Sequence, residues 1–154
     1  MSRQSIGIAV LGSTGSIGSQ ALEVAERFPD RIRVVALAAD SSADAVARQA
    51  ERHKPALVSM MNANAAGALR SLWPYAEVHE GMEGLVAAAS HPAVDVVVVS
   101  VKGAIGLIPT MAAIESGKTV ALASKEVLVA GGDVVMQRAR ERGVPVVPID
   151  SEHS

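Results

Sequence analysis

The amino-acid sequence predicts an α/β fold, a doubly wound and mostly parallel sheet with helices on both faces. Segments typical of strands and of helices alternate along all 154 residues, and their connections are too long for hairpins. Hydrophobic residues make up 49% of the chain but aromatic residues only 2%. The core must therefore be built from Val, Ala, Leu, Ile and Met, which suit buried parallel strands. The length fits one domain with a sizeable core.

The strands are predicted from short, β-branched apolar runs. The strongest is 94–101, V-D-V-V-V-V-S-V, which His91-Pro92 precedes and Gly103 follows. The expected strands are 6–11, 32–38, 56–60, 77–79, 94–101, 119–122 and 144–147.

The helices are predicted from apolar residues at helical spacing and from the residues that end them. They are expected from the glycine-rich loop to about residue 28, and over 43–53, 62–72, 82–89, 107–116 and 125–142. The apolar face of the first helix is expected to consist of Ala21, Leu22, Val24, Ala25 and Phe28. Pro29 ends this helix, and Ser42 or Ser41 is expected to cap the second. Gly117 should end the fifth in a left-handed conformation, and Gly131-Gly132 should interrupt the sixth.

Charge and composition exclude several classes of partner. The net charge of −2 leaves no electrostatic basis for binding nucleic acid or an anionic membrane. No apolar stretch approaches the roughly 20 residues that span a bilayer, and the first five residues do not form a basic signal region. With no Cys, a disulfide, a thiolate nucleophile and a Cys-based metal site are all excluded. A cytoplasmic location is expected.

A glycine-rich loop joins the first strand to the first helix. In V-L-G-S-T-G-S-I-G, the three glycines are Gly12, Gly15 and Gly18. Gly12 permits a tight turn, Gly15 lets the backbone approach a pyrophosphate, and Gly18 lets helix and strand pack closely. The helix N-terminus offers N–H groups and a partial positive charge to the phosphates. The loop therefore predicts a Rossmann-like dinucleotide-binding site.

Two enzyme classes with similar loops lack support here. A short-chain dehydrogenase of the extended type needs a Tyr-x-x-x-Lys pair, but the single tyrosine, Tyr75, is followed at that spacing by His79. A semialdehyde reductase needs a nucleophilic Cys. Asp40, about 20 residues past the loop, favours NAD because a carboxylate can bind the ribose hydroxyls. Ser41 and Ser42 could instead donate hydrogen bonds to a 2′-phosphate, so the choice stays open.

Three later stretches carry polar residues at expected strand ends. Lys102 lies in V-K-G-A-I-G-L-I-P, after the central strand, and is either a site residue or a surface lysine. Lys125 and Glu126 begin a helix after the sixth strand. They are either site residues or a solvated helix start with a favourably placed acid. Asp150 and Glu152 alternate along an extended segment and could converge on Mg²⁺ or Mn²⁺, or belong to a frayed terminus.

Taken together, the motifs resemble one family. G-S-T-G-S-I-G, G-L-I-P-T, A-L-A-S-K-E-V-L-V-A-G-G and P-I-D-S-E-H-S, in this order and spacing, are similar to 1-deoxy-D-xylulose 5-phosphate reductoisomerases. The resemblance implies an enzyme of the methylerythritol phosphate isoprenoid pathway. Such an enzyme rearranges 1-deoxy-D-xylulose 5-phosphate, a sugar phosphate, and reduces the product with NADPH to 2-C-methyl-D-erythritol 4-phosphate. The resemblance also implies a divalent cation, Mg²⁺ or Mn²⁺, and full-length proteins that form homodimers.

Carried over by position, the resemblance implies roles for particular residues. The coenzyme-binding residues would be Thr14, Gly15, Ser16, Ile17, Asp40, Ser41, Ser42, Ser124 and Glu126. Lys125 and Ser151 would contact the substrate, and Asp150 and Glu152 would bind the metal. Lys125, Ser151 and Glu152 would form the catalytic set. The chain departs from the family pattern at 40–42, where members commonly carry Gly, a basic residue and Asn, which again leaves the coenzyme open.

The resemblance also predicts how the chain is divided. Residues 1–147 are expected to form the dinucleotide-binding domain, and 148–154 to begin a catalytic, metal-binding domain that is otherwise absent. Since that domain would supply a third metal ligand and the substrate phosphate site, the chain alone is expected to bind coenzyme without turnover. Two other hypotheses are a non-catalytic NAD(P)-binding module and another two-domain NAD-dependent dehydrogenase.

Overall fold

The computed structural model of the chain describes residues 5–149, in which seven strands alternate with six α-helices. The strands are β1 (Ile6–Leu11), β2 (Ile32–Ala39), β3 (Leu57–Met60), β4 (Glu77–Glu80), β5 (Val96–Val99), β6 (Thr119–Leu122) and β7 (Val146–Pro148). The helices are α1 (Ser16–Arg27), α2 (Ala43–His53), α3 (Ala63–Leu72), α4 (Gly81–Ser90), α5 (Leu107–Glu115) and α6 (Lys125–Arg142). A 3-10 turn, Gly103–Gly106, precedes α5.

The strands form a single sheet in the order β4-β3-β2-β1-β5-β6-β7, and neighbouring strands are parallel in all six pairs. The chain builds outward from β1 to β4, then returns to the other side of β1 with β5. The strand order therefore reverses between β1 and β5, which is the topological switch point of an open α/β sheet. The predicted doubly wound, parallel fold is confirmed.

The core lies on both faces of the central strands. In β1, Ile8 and Val10 pack into one apolar cluster while Ala9 and Leu11 pack into the other, as expected from alternating side chains. Helices α1, α2 and α3 cover the first face, and α4, α5 and α6 cover the second. A strand buried on both faces explains why β1 is an almost unbroken apolar run.

Two predicted strands are shorter than expected. Val94 lies in a turn, where its N–H donates to the His91 carbonyl at 3.0 Å, so β5 begins only at Val96. The last strand begins later than predicted because Gly143, at φ 67°, ends α6 in a left-handed turn. The N–H of Val144 then bonds back to the carbonyl of Ala139 at 2.9 Å. In both cases a valine that was assigned to the strand belongs instead to the turn that precedes it.

The predicted apolar face of α1 is wrong at two positions. Val24 and Phe28 are 46% and 45% exposed, whereas Leu22 and Ala25 are buried. Val24 lies two residues from Leu22 and therefore points away from the buried stripe. Phe28 follows the last helical residue, and its ring lies against the Arg31 guanidinium, 5.9 Å from the ring centroid. The prediction thus made the apolar face too wide at Val24 and carried the helix one residue past its end at Arg27.

The glycine predictions for two later helices are confirmed. Gly117, just beyond α5, has a φ of 76°, and Gly131 interrupts α6 at φ −155° and ψ 29°. Within residues 5–149, no helix combines the length and the apolar character needed to cross a membrane.

The free energy of unfolding should depend on pH through His53, at the end of α2. Burial lowers the pKa of this histidine below its ordinary value of 6.5, more than the Glu26 carboxylate raises it. Below about pH 6.5 the unfolded chain therefore binds more protons than the folded chain, so stability falls as the pH falls towards the lowered pKa. In urea titrations, His53→Gln should flatten this slope. Equal slopes for the variant and the parent would contradict the prediction.

Candidate functional site

A cleft of about 430 Å³ lies at the carboxyl edge of the sheet, beside the switch point between β1 and β5. It is bounded by the loops that follow β1, β2 and β5, which contribute Gly15, Asp40 and Lys102 among other residues. Leu85 of α4 and Met61, after β3, provide apolar surface. Open α/β sheets bind ligands at this position, because the loops of adjacent crossovers leave room there.

The three glycines of the first loop have different surroundings. Gly12 has a φ of 92°, and a Cβ on it would lie 2.7 Å from the Ser100 carbonyl oxygen. A Cβ on Gly18 would overlap the Gly12 carbonyl oxygen and lie 2.8 Å from the Cα of Ser13. Gly15 is extended, and a Cβ there would meet nothing closer than the Gly12 oxygen at 3.6 Å. Gly18 therefore serves the packing of α1 on the turn after β1, and Gly12 serves the close approach of that turn to Ser100. Gly15 leaves room on the cleft side.

The start of α1 is suited to an anion. Gly15 is the N-cap residue and supplies no side-chain acceptor, and the first backbone bond of the helix runs from Ser19 to the Gly15 carbonyl at 2.9 Å. The N–H groups of Ser16 and Ile17 thus have no acceptor within the helix. The first turn carries no acidic side chain. Thr14 and Gly15 line the cleft, so the free donors and the positive end of the helix dipole lie at its wall.

The loop after β2 carries three exposed polar residues at the cleft, Asp40, Ser41 and Ser42. The Asp40 carbonyl accepts a hydrogen bond from the Asn62 N–H at 3.0 Å, which ties this loop to the end of β3. Ser42 occupies the predicted N-cap position of α2, but its side chain makes no capping hydrogen bond. The hydroxyl of Ser42 is therefore not used by its own helix.

Sequence reasoning did not single out Gln49, which the fold brings to the glycine loop. Its amide nitrogen donates to the Ser13 carbonyl at 2.8 Å, and so α2 is tied to the loop after β1. Gln49 lies beside the buried Val46 and Ala50 on the same helix. The available signal was an amide on the apolar face of an amphipathic helix, where an unpaired polar group would be costly.

The loops after β5 and β6 meet farther along the same edge. The Ser124 hydroxyl accepts from the Val127 N–H at 3.4 Å and caps α6. It also lies 3.5 Å from the Gly103 carbonyl and 3.3 Å from a Glu126 carboxylate oxygen. Lys125 and Glu126 are exposed in the first turn of the helix. Ser124, Lys125 and Glu126 do not line the 430 Å³ cleft, but they lie at the same carboxyl edge of the sheet.

The predicted metal ligands and Ser151 fall outside the described residues. Asp150, Ser151 and Glu152 follow Ile149, whose N–H donates to the Leu122 carbonyl at 2.8 Å. The described chain thus ends at the carboxyl end of β6, the edge from which Lys125 also starts. Among residues 5–149, no group of three or more His, Asp or Glu side chains could hold a metal ion.

The parallel sheet and the glycine loop at its switch point define the Rossmann-like class of α/β proteins. A family model described as 1-deoxy-D-xylulose 5-phosphate reductoisomerase matches residues 8–132. The reductoisomerase of Symbiobacterium thermophilum is 54% identical over 154 residues, which cover 96% of this chain and 40% of that protein. This chain therefore belongs to the 1-deoxy-D-xylulose 5-phosphate reductoisomerase family.

Solved structures of the family have the same fold. The reductoisomerase from Zymomonas mobilis in complex with NADPH superposes with a TM-score of 0.91 at 38% identity, over 97% of this chain and 40% of that one. A reductoisomerase in complex with magnesium gives a TM-score of 0.90 at 37% identity, over 97% and 38% of the two chains. The chain spans about 40% of the length of the curated relatives that it matches.

The packing of α1 on the loop can be tested with two glycine substitutions. Gly18→Ala should lower the free energy of unfolding by about 1–3 kcal/mol, because the new methyl group would press on backbone atoms that cannot rotate away. Gly67→Ala is the matched control, since Gly67 is exposed in α3 and a Cβ there meets nothing within 4 Å. The control should gain about 0.5–1 kcal/mol from helix propensity. Urea denaturation measures both, and equal effects would contradict the packing argument.

Proposed function

We propose that this chain binds NADPH at the carboxyl-edge cleft and forms the coenzyme-binding part of a 1-deoxy-D-xylulose 5-phosphate reductoisomerase. The observation that carries the proposal is the open side of the glycine loop at Gly15, where uncapped N–H groups of α1 lie at the cleft wall. The NADPH complex of the Zymomonas mobilis relative supports the choice of ligand. A cytoplasmic location and a homodimeric full-length protein belong to the same proposal.

The proposed coenzyme contacts follow the geometry of the cleft. Thr14, Gly15, Ser16 and Ile17 would bind the pyrophosphate through backbone N–H groups and hydroxyls. The residues at 40–42 would bind the adenosine ribose, because they follow β2, which lies on the opposite side of β1 from β5. The other end of the coenzyme would extend along the edge towards β6, where Ser124 and Glu126 would flank it.

The proposed chemistry needs groups within residues 5–149 and groups that follow Ile149. When bound, the coenzyme supplies a hydride and the divalent cation supplies a Lewis acid. Asp150 and Glu152 would hold Mg²⁺ or Mn²⁺ through hard carboxylate oxygens, and Ser151 would bind the substrate. Lys125 would stabilise negative charge on a substrate oxygen, since it begins α6 at the edge where Ile149 also lies. Residues 1–147 and 148–154 would belong to the coenzyme-binding and catalytic domains.

The coenzyme proposal predicts a binding preference. The 154-residue chain should bind NADPH more tightly than NADH in isothermal titration calorimetry. Gly15→Ser should weaken both coenzymes about tenfold, because the new side chain would fill the open side of the loop and its hydroxyl would cap the N–H groups of α1. The melting temperature should not fall, since Gly15 is extended and its Cβ position is open.

Two outcomes would overturn this assignment. If Gly15→Ser left both affinities unchanged, the coenzyme would not bind at the loop. If the parent chain preferred NADH and Asp40→Ala abolished that preference, Asp40 would be binding the ribose hydroxyls, and the protein would use NAD instead.

Because the proposed site is divided between two domains, we expect this chain to bind coenzyme without catalysing the reaction. With 1-deoxy-D-xylulose 5-phosphate, NADPH and Mg²⁺ or Mn²⁺, the 154-residue chain should oxidise no NADPH above background at 340 nm. Two carboxylates leave most of the roughly six oxygen positions around Mg²⁺ to water or substrate, so the metal site would be weak. The same preparation must bind NADPH by calorimetry. Measurable turnover would show that these residues suffice for catalysis and would contradict the proposed domain boundary.

A further inference from the structure

We propose that Arg48 selects the coenzyme by binding the 2′-phosphate of NADPH, an inference that rests on the function proposed above. A second, shallow cavity of about 640 Å³ lies on the outer side of the loop after β2. It shares Ser41 and Ser42 with the cleft and extends from there to Arg48, in the middle of α2, and to Asn64, at the start of α3. The two cavities are therefore adjacent, and the serines form their common wall.

The position of this outer cavity suits a 2′-phosphate. The adenosine ribose of a dinucleotide is recognised at the end of the second strand, which is the position of Asp40. A phosphate on the 2′ oxygen must lie within reach of the same loop. The outer side of the loop offers such a place, and Arg48 lies there with Ser41 and Ser42.

The outer cavity presents hydrogen-bond donors that the fold does not use. Among residues 5–149, the Ser41 and Ser42 hydroxyls and the Arg48 guanidinium make no hydrogen bond or ion pair. The side-chain oxygen of Asn62 caps α3 by accepting from Ala65 at 2.9 Å, which leaves its amide N–H groups available. A planar guanidinium flanked by hydroxyl and amide donors is a good match for a phosphate group.

Two acidic side chains near Arg48 could neutralise its positive charge, so their distances from it matter. Asp44 lines the outer cavity one helical turn before Arg48, and Asp40 lines the cleft. Within the described residues neither carboxylate forms an ion pair with Arg48 within 4.0 Å, so its charge is not neutralised by a direct partner. Lys102 is another cation at the cleft, but it reaches the cleft from the loop after β5. It therefore provides the rival assignment.

The experiment compares three glutamine variants by calorimetry with NADPH and with NADH, which differ only in the 2′-phosphate. Arg48→Gln should weaken NADPH about tenfold and change NADH less than about twofold, because only one ligand loses a charged contact. Arg52→Gln is the matched control. Arg52 lies one turn later on the same helix and pairs with Glu26 at 2.9 Å, away from both cavities. It should leave the ratio of the two affinities unchanged.

The outcomes separate this inference from the proposed function. If Arg48→Gln weakened NADPH no more than Arg52→Gln does, or if Lys102→Gln alone removed the preference for NADPH, Arg48 would not be the selecting residue, while coenzyme binding would stand. If the parent chain bound neither coenzyme, the proposed function itself would fail. Thermal melting of each variant must match the parent, and since both arginines are exposed, a loss of folding is not expected.

Discussion

The close contact of backbone with backbone at the end of β1 determines most of this structure. Gly12 turns at a positive φ directly against the carbonyl of Ser100, and Gly18 brings α1 within contact of the same turn. Neither position has room for a side chain. Because the helix must leave the strand so tightly, its N-terminus points into the gap where the strand order reverses. The site and the switch point coincide for this steric reason.

Hydrogen bonds from neighbouring elements hold this turn in place. The Ser100 hydroxyl donates to the Leu11 carbonyl at 2.9 Å, and Gln49 donates to the Ser13 carbonyl at 2.8 Å. The N–H groups of Gly12 and Ser13 both donate to the Ala38 carbonyl of β2. The loop is thus fastened to β2, α2 and the end of β5. A loop with so many external bonds is preorganised, so little ordering would oppose the proposed binding of coenzyme.

Local chemistry explains which parts could be predicted from sequence. The bounds of β1, the left-handed Gly117 and the kink at Gly131 each depend on residues that are adjacent in the chain. The ends of β5 depend on which backbone groups its neighbours offer, and a run of valines carries no information about that. Arg48 was missed for a similar reason. Sequence reasoning considered only 40–42 for the 2′ position, whereas Arg48 lies farther along the chain and α2 brings it to the cavity that Ser41 and Ser42 also line.

The proposed site divides at Ile149 into a coenzyme part, within the described residues, and a metal part that follows them. The groups proposed for the coenzyme's phosphates and ribose, 14–17 and 40–42, lie on loops that the β1 turn and the Asn62 contact hold in place. The residues proposed for the metal follow Ile149, and no metal-binding group of three side chains occurs before that point in the described chain. The proposed coenzyme half thus depends on contacts among the described strands, their loops and α2. The proposed metal half would draw its ligands from residues after Ile149, so removal of the metal should leave coenzyme affinity, measured by calorimetry, nearly unchanged.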